Sequence, residues 1–178
     1  SNGQSVQNRN WEYSKVVYTP SSKKKIIITN SLPKGGGIVS YKGKEYYYFI
    51  FWTNVRNEAT SPLDLKIKFP TIISFKSEES YAKVAFTKSN MTIDKVQEFD
   101  YGLKGITTLL NNESNQLKDL NNRISPFNNY LFYSAIFIHK TKWPVRAEYI
   151  LKDKTLFYKI TAGTDVVTVP CGSLDFKN

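Results

Sequence analysis

The sequence is short of the side chains that carry nucleophilic and metal chemistry. It holds one cysteine, Cys171, and one histidine, His139, in 178 residues. A single thiol cannot close a disulfide within the chain. One His and one Cys also fall short of the usual tetrahedral zinc set unless carboxylates complete it. A Cys171–His139 dyad is disfavoured, because Cys171 follows Pro170 in an apolar segment, the setting of a small buried residue. No Gly-x-Ser-x-Gly elbow occurs. The glycines at 35–37 lead into a strand rather than a helix, so no helix N-terminus is there to hold a phosphate, and they read as a flexible turn. No metal, cofactor or catalytic residue is expected. No apolar run reaches the roughly 18 residues of a membrane-spanning helix. Methionine is scarce too: Met91 stands alone, and the chain opens Ser1-Asn2-Gly3-Gln4, which reads as a processed terminus or an added remnant.

Arginine is the other shortage. The net charge is +10, yet only Arg9, Arg56, Arg123 and Arg146 are arginines. Specific reading of phosphates and bases favours the planar guanidinium fork. Lysines scattered over many segments make a solvated surface instead, and no specific nucleic-acid partner is expected.

Aromatic residues are abundant, at 15% of the chain. Rings fit the half-buried pleated surface of a sheet. The segments that look extended are short and numerous: residues 11–18, 23–30, "IVSY" paired with "EYYYFIFWTNV" across Lys42-Gly43-Lys44, then 63–69, 81–87, 129–140 and 166–172. The stretch 145–160 reads as a further hairpin turning at Lys152-Asp153-Lys154. "LDLKIKF" alternates, with Leu63, Leu65, Ile67 and Phe69 inward and Asp64, Lys66 and Lys68 outward. A short helix is expected near 103–111, followed by a polar run. No βαβ alternation appears, which excludes a doubly wound fold. The expected class is all-β, a two-sheet antiparallel sandwich with a short helical insertion, an immunoglobulin-like strand order being one candidate. Residues 1–10 read as a disordered lead-in and 11–178 as a single domain of a size that needs no disulfide or metal staple.

The densest stretch is "KEYYYFIFWTN" (44–54). In a strand, Tyr47, Phe49 and Phe51 share one face while Tyr46, Tyr48, Ile50 and Trp52 share the other. Two readings stay open. The strand is central, with one face in the core and the other under a loop or the insertion; or Tyr46, Tyr48 and Trp52 form a partly exposed stacking platform for a ligand. Asp94, Glu98 and Asp100 cluster in the middle of the chain, and Glu78-Glu79 fall in a turn. Two carboxyls facing each other across a sugar would make a glycosidase, but spacing alone does not establish that. His139 reads as a structural residue late in its strand.

The stretches "LPKGGGIVSYKGKEYYYFIFWTNVRNEA", "VRAEYILKDKTLFYKI" and "VTVPCGSL" resemble uncharacterised exported β-sandwich proteins of Bacteroidetes. The resemblance implies a secreted or envelope setting, periplasmic or outer-membrane-anchored, with a lipid anchor on a cysteine upstream of Ser1 as one form, and it carries over no functional residue. The expected function is a non-catalytic binding or adhesion domain contacting a protein or glycan. A hydrolase acting on an anionic polymer through carboxylates, and a structural subunit of an envelope assembly, are the alternatives.

Overall fold

A computed structural model describes residues 10–77 and 79–178. The expected lead-in therefore lies, apart from Asn10, outside the described residues, as does Glu78. The chain is all-β, and its strands, numbered in chain order, pair antiparallel throughout. The larger sheet runs β1 (Glu12–Ser21), β2 (Lys24–Ser31), β4 (Lys44–Glu58), β10 (Asn129–His139), β7 (Tyr81–Thr87), β6 (Ile73–Ser74). Two further strands join it: β3 (Lys34–Tyr41) on β4, and β8 (Gln116–Leu117) on β7. The smaller sheet runs β11 (Val145–Lys152), β12 (Thr155–Ala162), β13 (Asp165–Phe176), β5 (Leu63–Ile67), β9 (Leu120–Ile124).

The β3–β4 hairpin forms as its sequence suggests. Tyr41 pairs with Lys44, and Lys42 and Gly43 both take positive φ, 49° and 78°. Two consecutive left-handed residues match the twist of the flanking strands, which is why a glycine sits there. β4 is long enough to serve two partners on one side: its N-terminal half pairs with β3 and its C-terminal half with β2, while β10 pairs along the other side.

The double apolar character of β4 now has its cause. Phe49, Phe51 and Val55 point between the sheets, where Ile136 and Ile138 of β10 meet Leu65 of β5 and Tyr158 of β12. The opposite side chains, Tyr46, Tyr48, Ile50 and Trp52, enter a second core on the outer face of the larger sheet. Residues 91–110 roof that core with Met91, Val96, Tyr101, Leu103, Ile106 and Leu109. The strand is central, and both of its faces are covered.

The short helix expected near 103–111 forms as a 3-10 helix over Ile106–Asn111, the longest of a series of 3-10 turns in the insertion. Asp100, Tyr101, Gly102 and Gly105 take left-handed φ, and each such residue interrupts the backbone repeat an α-helix requires. The glycines at 35–37 are not a flexible turn but part of bulged strand β3. A Cβ on Gly35 would lie 2.8 Å from the Tyr48 ring and one on Gly37 2.7 Å from it, so the glycines are the space the ring occupies. The polar run after 111 also differs from expectation, for it contains β9, whose buried positions are Leu120 and Ile124.

Two buried amides tie the layers. Asn30 on β2 donates to the Tyr149 carbonyl at 3.3 Å and accepts from the Tyr149 N–H at 3.0 Å. Asn57 on β4 donates to the Ser61 and Ile124 carbonyls at 2.8 and 3.0 Å. Among the described residues, no helix is long and apolar enough to cross a membrane.

Candidate functional site: a ring-lined cleft at the edge of β3

The structure places Tyr46, Tyr48 and Trp52 beneath the roof rather than on a surface, with 2%, 8% and 3% of their areas exposed. Stacking needs an open ring face, and these three are packed instead: Tyr46 among Tyr41, Tyr81 and His139, and Tyr48 and Trp52 against Asp100 and Tyr101 of the insertion. Trp52 meets Tyr101 edge-on, ring centroids 6.5 Å apart. The Tyr46 hydroxyl shares a 3.0 Å hydrogen bond with that of Tyr81, and the Tyr48 hydroxyl donates to Asp100 Oδ2 at 2.9 Å. The expected open platform is therefore corrected to a core; its hydroxyls have partners within the protein.

Nor does the structure assemble the thiol dyad. Cys171 is buried between the sheets, where burial pushes its pKa up to about 12. His139 lies on the other side of the larger sheet, its ring 5.7 Å from Tyr46 and 5.3 Å from Tyr81, and its Nδ1 donates to the Glu45 carbonyl at 2.9 Å. Among the described residues, no three His, Cys, Asp or Glu side chains converge as a metal site would need.

Exposed rings gather elsewhere, around a cleft of about 390 Å³ where β3 bulges. Its walls include Trp11, Lys34, Glu98, Phe99, Asp100 and Trp143. Phe99 is 86% exposed and Trp143 is 54% exposed. Single exposed rings are ordinary, but large rings converging on one concavity mark a contact surface. Trp143 stands on the rings of Tyr47 and Phe49, 5.7 and 5.1 Å away, and a Cβ on Gly36 would lie 3.0 Å from it. The triple glycine thus seats a buried ring and an exposed one at once.

Lys34 ties the cleft together. Its Nζ donates to the Val96 and Glu98 carbonyls, each at 2.8 Å. The same ammonium lies 4.4 Å from the Trp11 ring centroid and 4.5 Å from that of Tyr101. Burial pulls its pKa below the usual lysine value, with the charges of Asp100 and Glu98 acting in the opposite sense. Burial and the hydrogen bond to Asp100 both push the Tyr48 phenol upward.

The backbone around the cleft is strained. Trp11, Asp100 and Tyr101 take φ of 57°, 51° and 55°, each costing roughly 1–2 kcal/mol for a residue with a Cβ. Such cost persists where the surroundings over-determine the conformation, and it concentrates at functional sites. At Gly102, φ is 72° and a Cβ would lie 2.5 Å from Glu98 Oε2, so the glycine lets the Glu98 carboxylate lie back across the turn. Of the three clustered carboxylates, Glu98 and Asp100 line the cleft; Asp94 is exposed, and hydrogen bonds to Thr92 and to its own backbone lower its pKa.

Reasoning from the sequence missed Trp11, Phe99, Trp143 and Lys34 as site residues. They come from four distant segments, so no local spacing connects them. One signal was available: Phe99 and Trp143 are large rings set among charged residues, in "EFD" and "KTKWP". Compared with protein-family models and with curated proteins, the chain matches neither a family model nor a curated sequence.

Proposed function

We propose that the chain is a non-catalytic binding domain of the cell envelope, and that it holds a glycan in the cleft between β3 and residues 97–100. One observation carries the reading: Trp11, Phe99 and Trp143, remote in sequence, meet around one concavity that Asp100 and Lys34 also line. Rings with a few convergent polar groups are the usual make-up of a small-ligand site. The exported proteins it resembles support the setting. Isothermal titration of the purified protein with a panel of oligosaccharides tests it, using Phe99→Ala as the key variant. Because Phe99 is so exposed, its removal leaves the melting temperature within about 2 °C and abolishes the binding. A Phe99→Ala variant that binds like wild type, or a wild type that binds no sugar, overturns the assignment.

The hydrolase reading retains one supporting observation, that Glu98 and Asp100 line the same cleft. Reducing-sugar release from the ligand identified above, lost in Glu98→Gln, would favour it over simple binding.

A further inference from the structure

We propose a second binding surface, for acidic sugar units (uronates or sulfate esters), on the outer face of the larger sheet beside the β3–β4 hairpin. It is distinct from the cleft and does not rest on the reading of the cleft. Strand alternation builds it. Lys44 and Tyr46 project from one face of β4 and Glu45 from the other, while Tyr81 and Lys83 project from the same outer face of β7. The left-handed pair Lys42–Gly43 returns the chain so that the Lys42 ammonium lies over Tyr41, 5.2 Å from its ring centroid. Lys83 approaches the same ring at 5.8 Å, and Lys44 approaches the Tyr81 ring at 5.5 Å while donating to its hydroxyl at 3.5 Å.

Three ammoniums are thus held against two rings. Among the described residues none of the three forms an ion pair with a carboxylate, whereas neighbouring Lys140 pairs with Glu79. Glu79 feels the charge of Lys44 but is committed to Lys140. Glu113 lines the adjacent cleft with Lys83 and likewise forms no ion pair with it. The field reaches the phenols: hydrogen bonding from Tyr46, then Lys44 and Lys83, lowers the Tyr81 pKa, while burial raises that of Tyr46. Of this pair Tyr81 is the hydroxyl that ionises first, chiefly through the hydrogen bond it shares with Tyr46, with Lys44 and Lys83 acting in the same sense.

The chemistry of the ligand follows. Uncompensated cations side by side favour an incoming anion. Lysine ammoniums are compact charges that accept an oxyanion from many directions. Tyr41 and Tyr81, both partly exposed beside these ammoniums, add apolar ring surface where the body of a sugar would lie. Among the described residues no guanidinium group, the kind that suits phosphate and base recognition, lies on this surface: Arg56 pairs with Glu58, Arg123 with Asp64, and Arg146 lies by Tyr13.

The test titrates the full chain with polygalacturonate, dextran sulfate, neutral dextran and a single-stranded oligonucleotide at about 50 mM salt, where screening is weak. Wild type binds at least one of the two acidic polysaccharides and not neutral dextran. Lys42→Gln/Lys44→Gln/Lys83→Gln weakens that binding about ten-fold or more, whereas the equally neutralising Lys25→Gln/Lys66→Gln/Lys152→Gln changes it by less than about two-fold. Phe99→Ala leaves it unchanged, which separates this surface from the cleft. Melting curves of both triple variants confirm folding. Equal losses in the two triples, no binding of either polysaccharide, or an oligonucleotide that binds as tightly through the same lysines would overturn the proposal.

Discussion

Trp52→Ala asks whether residues 91–110 form a packed core on the outer face of the larger sheet or merely lie over it. The Trp52 side chain is 3% exposed, sits edge-on to Tyr101 and belongs to the same cluster as Tyr48 and Tyr133. Truncating a buried tryptophan costs about 3–5 kcal/mol, part lost transfer energy and part cavity. For a chain of this size each kcal/mol shifts the melting temperature by about 2–4 °C, so the expected fall is about 6–20 °C. Thermal unfolding followed by far-ultraviolet circular dichroism reads it directly, with urea midpoints giving the free energy. Trp52→Phe, which keeps a ring in place, recovers most of the loss. A Trp52→Ala variant melting within about 3 °C of wild type would refute the second core, because no packed ring of this size is removed so cheaply.

Three more perturbations bear on the same architecture. Gly37→Val drives a side chain into the space of the Tyr48 ring, where even a Cβ would come within 2.7 Å. It is expected to cost about 1–3 kcal/mol by overpacking, read from denaturant midpoints, and Gly43→Ala, with open space around it, is a control for backbone strain alone. Asn30→Leu removes both contacts to Tyr149 and a third from the Thr53 hydroxyl; leaving buried groups unpaired predicts a loss of about 2–4 kcal/mol by the same measurement. Alkaline pH supplies the last. Folding raises the phenol pKa of Tyr46, Tyr48, Tyr101, Tyr149 and Tyr158 above the ordinary value, chiefly by burial, and that of Tyr133 to about 12. A raised folded pKa gives stability that is whole below the unfolded value, near 10, and drains away as pH climbs toward the folded value. Tyr81, lowered, and Lys34, lowered, oppose this, but they are outnumbered. The melting temperature should therefore fall steadily above about pH 10, and a flat profile to about pH 11.5 would contradict the buried phenols.

The fold was readable because alternation reports which side chains share a face. It placed β5, β7, β10 and the β11–β12 hairpin, and it gave both faces of β4. Alternation does not report what covers a face, which is why Tyr46, Tyr48 and Trp52 could be read as an open platform. The roof depends on residues 91–110, whose apolar positions follow no single period and whose turns depend on left-handed backbone at Asp100 and Tyr101. β9 escaped for a different reason. In "LNNRI" only Leu120 and Ile124 are apolar, a four-residue spacing as suited to a helix turn as to one face of a strand. The glycine run at 35–37 was legible as backbone freedom but not as a seat for rings, since that requires knowing that Tyr48 and Trp143 arrive from elsewhere. The cleft itself is a product of tertiary folding, assembled from residues 11, 34, 98–100 and 143.

The Asn30 amide has a mechanical consequence. β2 and β11 belong to different layers, yet this side chain gives Tyr149 a donor and an acceptor at once, as a neighbouring backbone would. Gliding one layer along the other by a single step, about 3.3 Å, would break both bonds together and leave every severed group in a dry interior. The two layers are keyed, so under load they should hold their relative position up to a threshold and then give way abruptly.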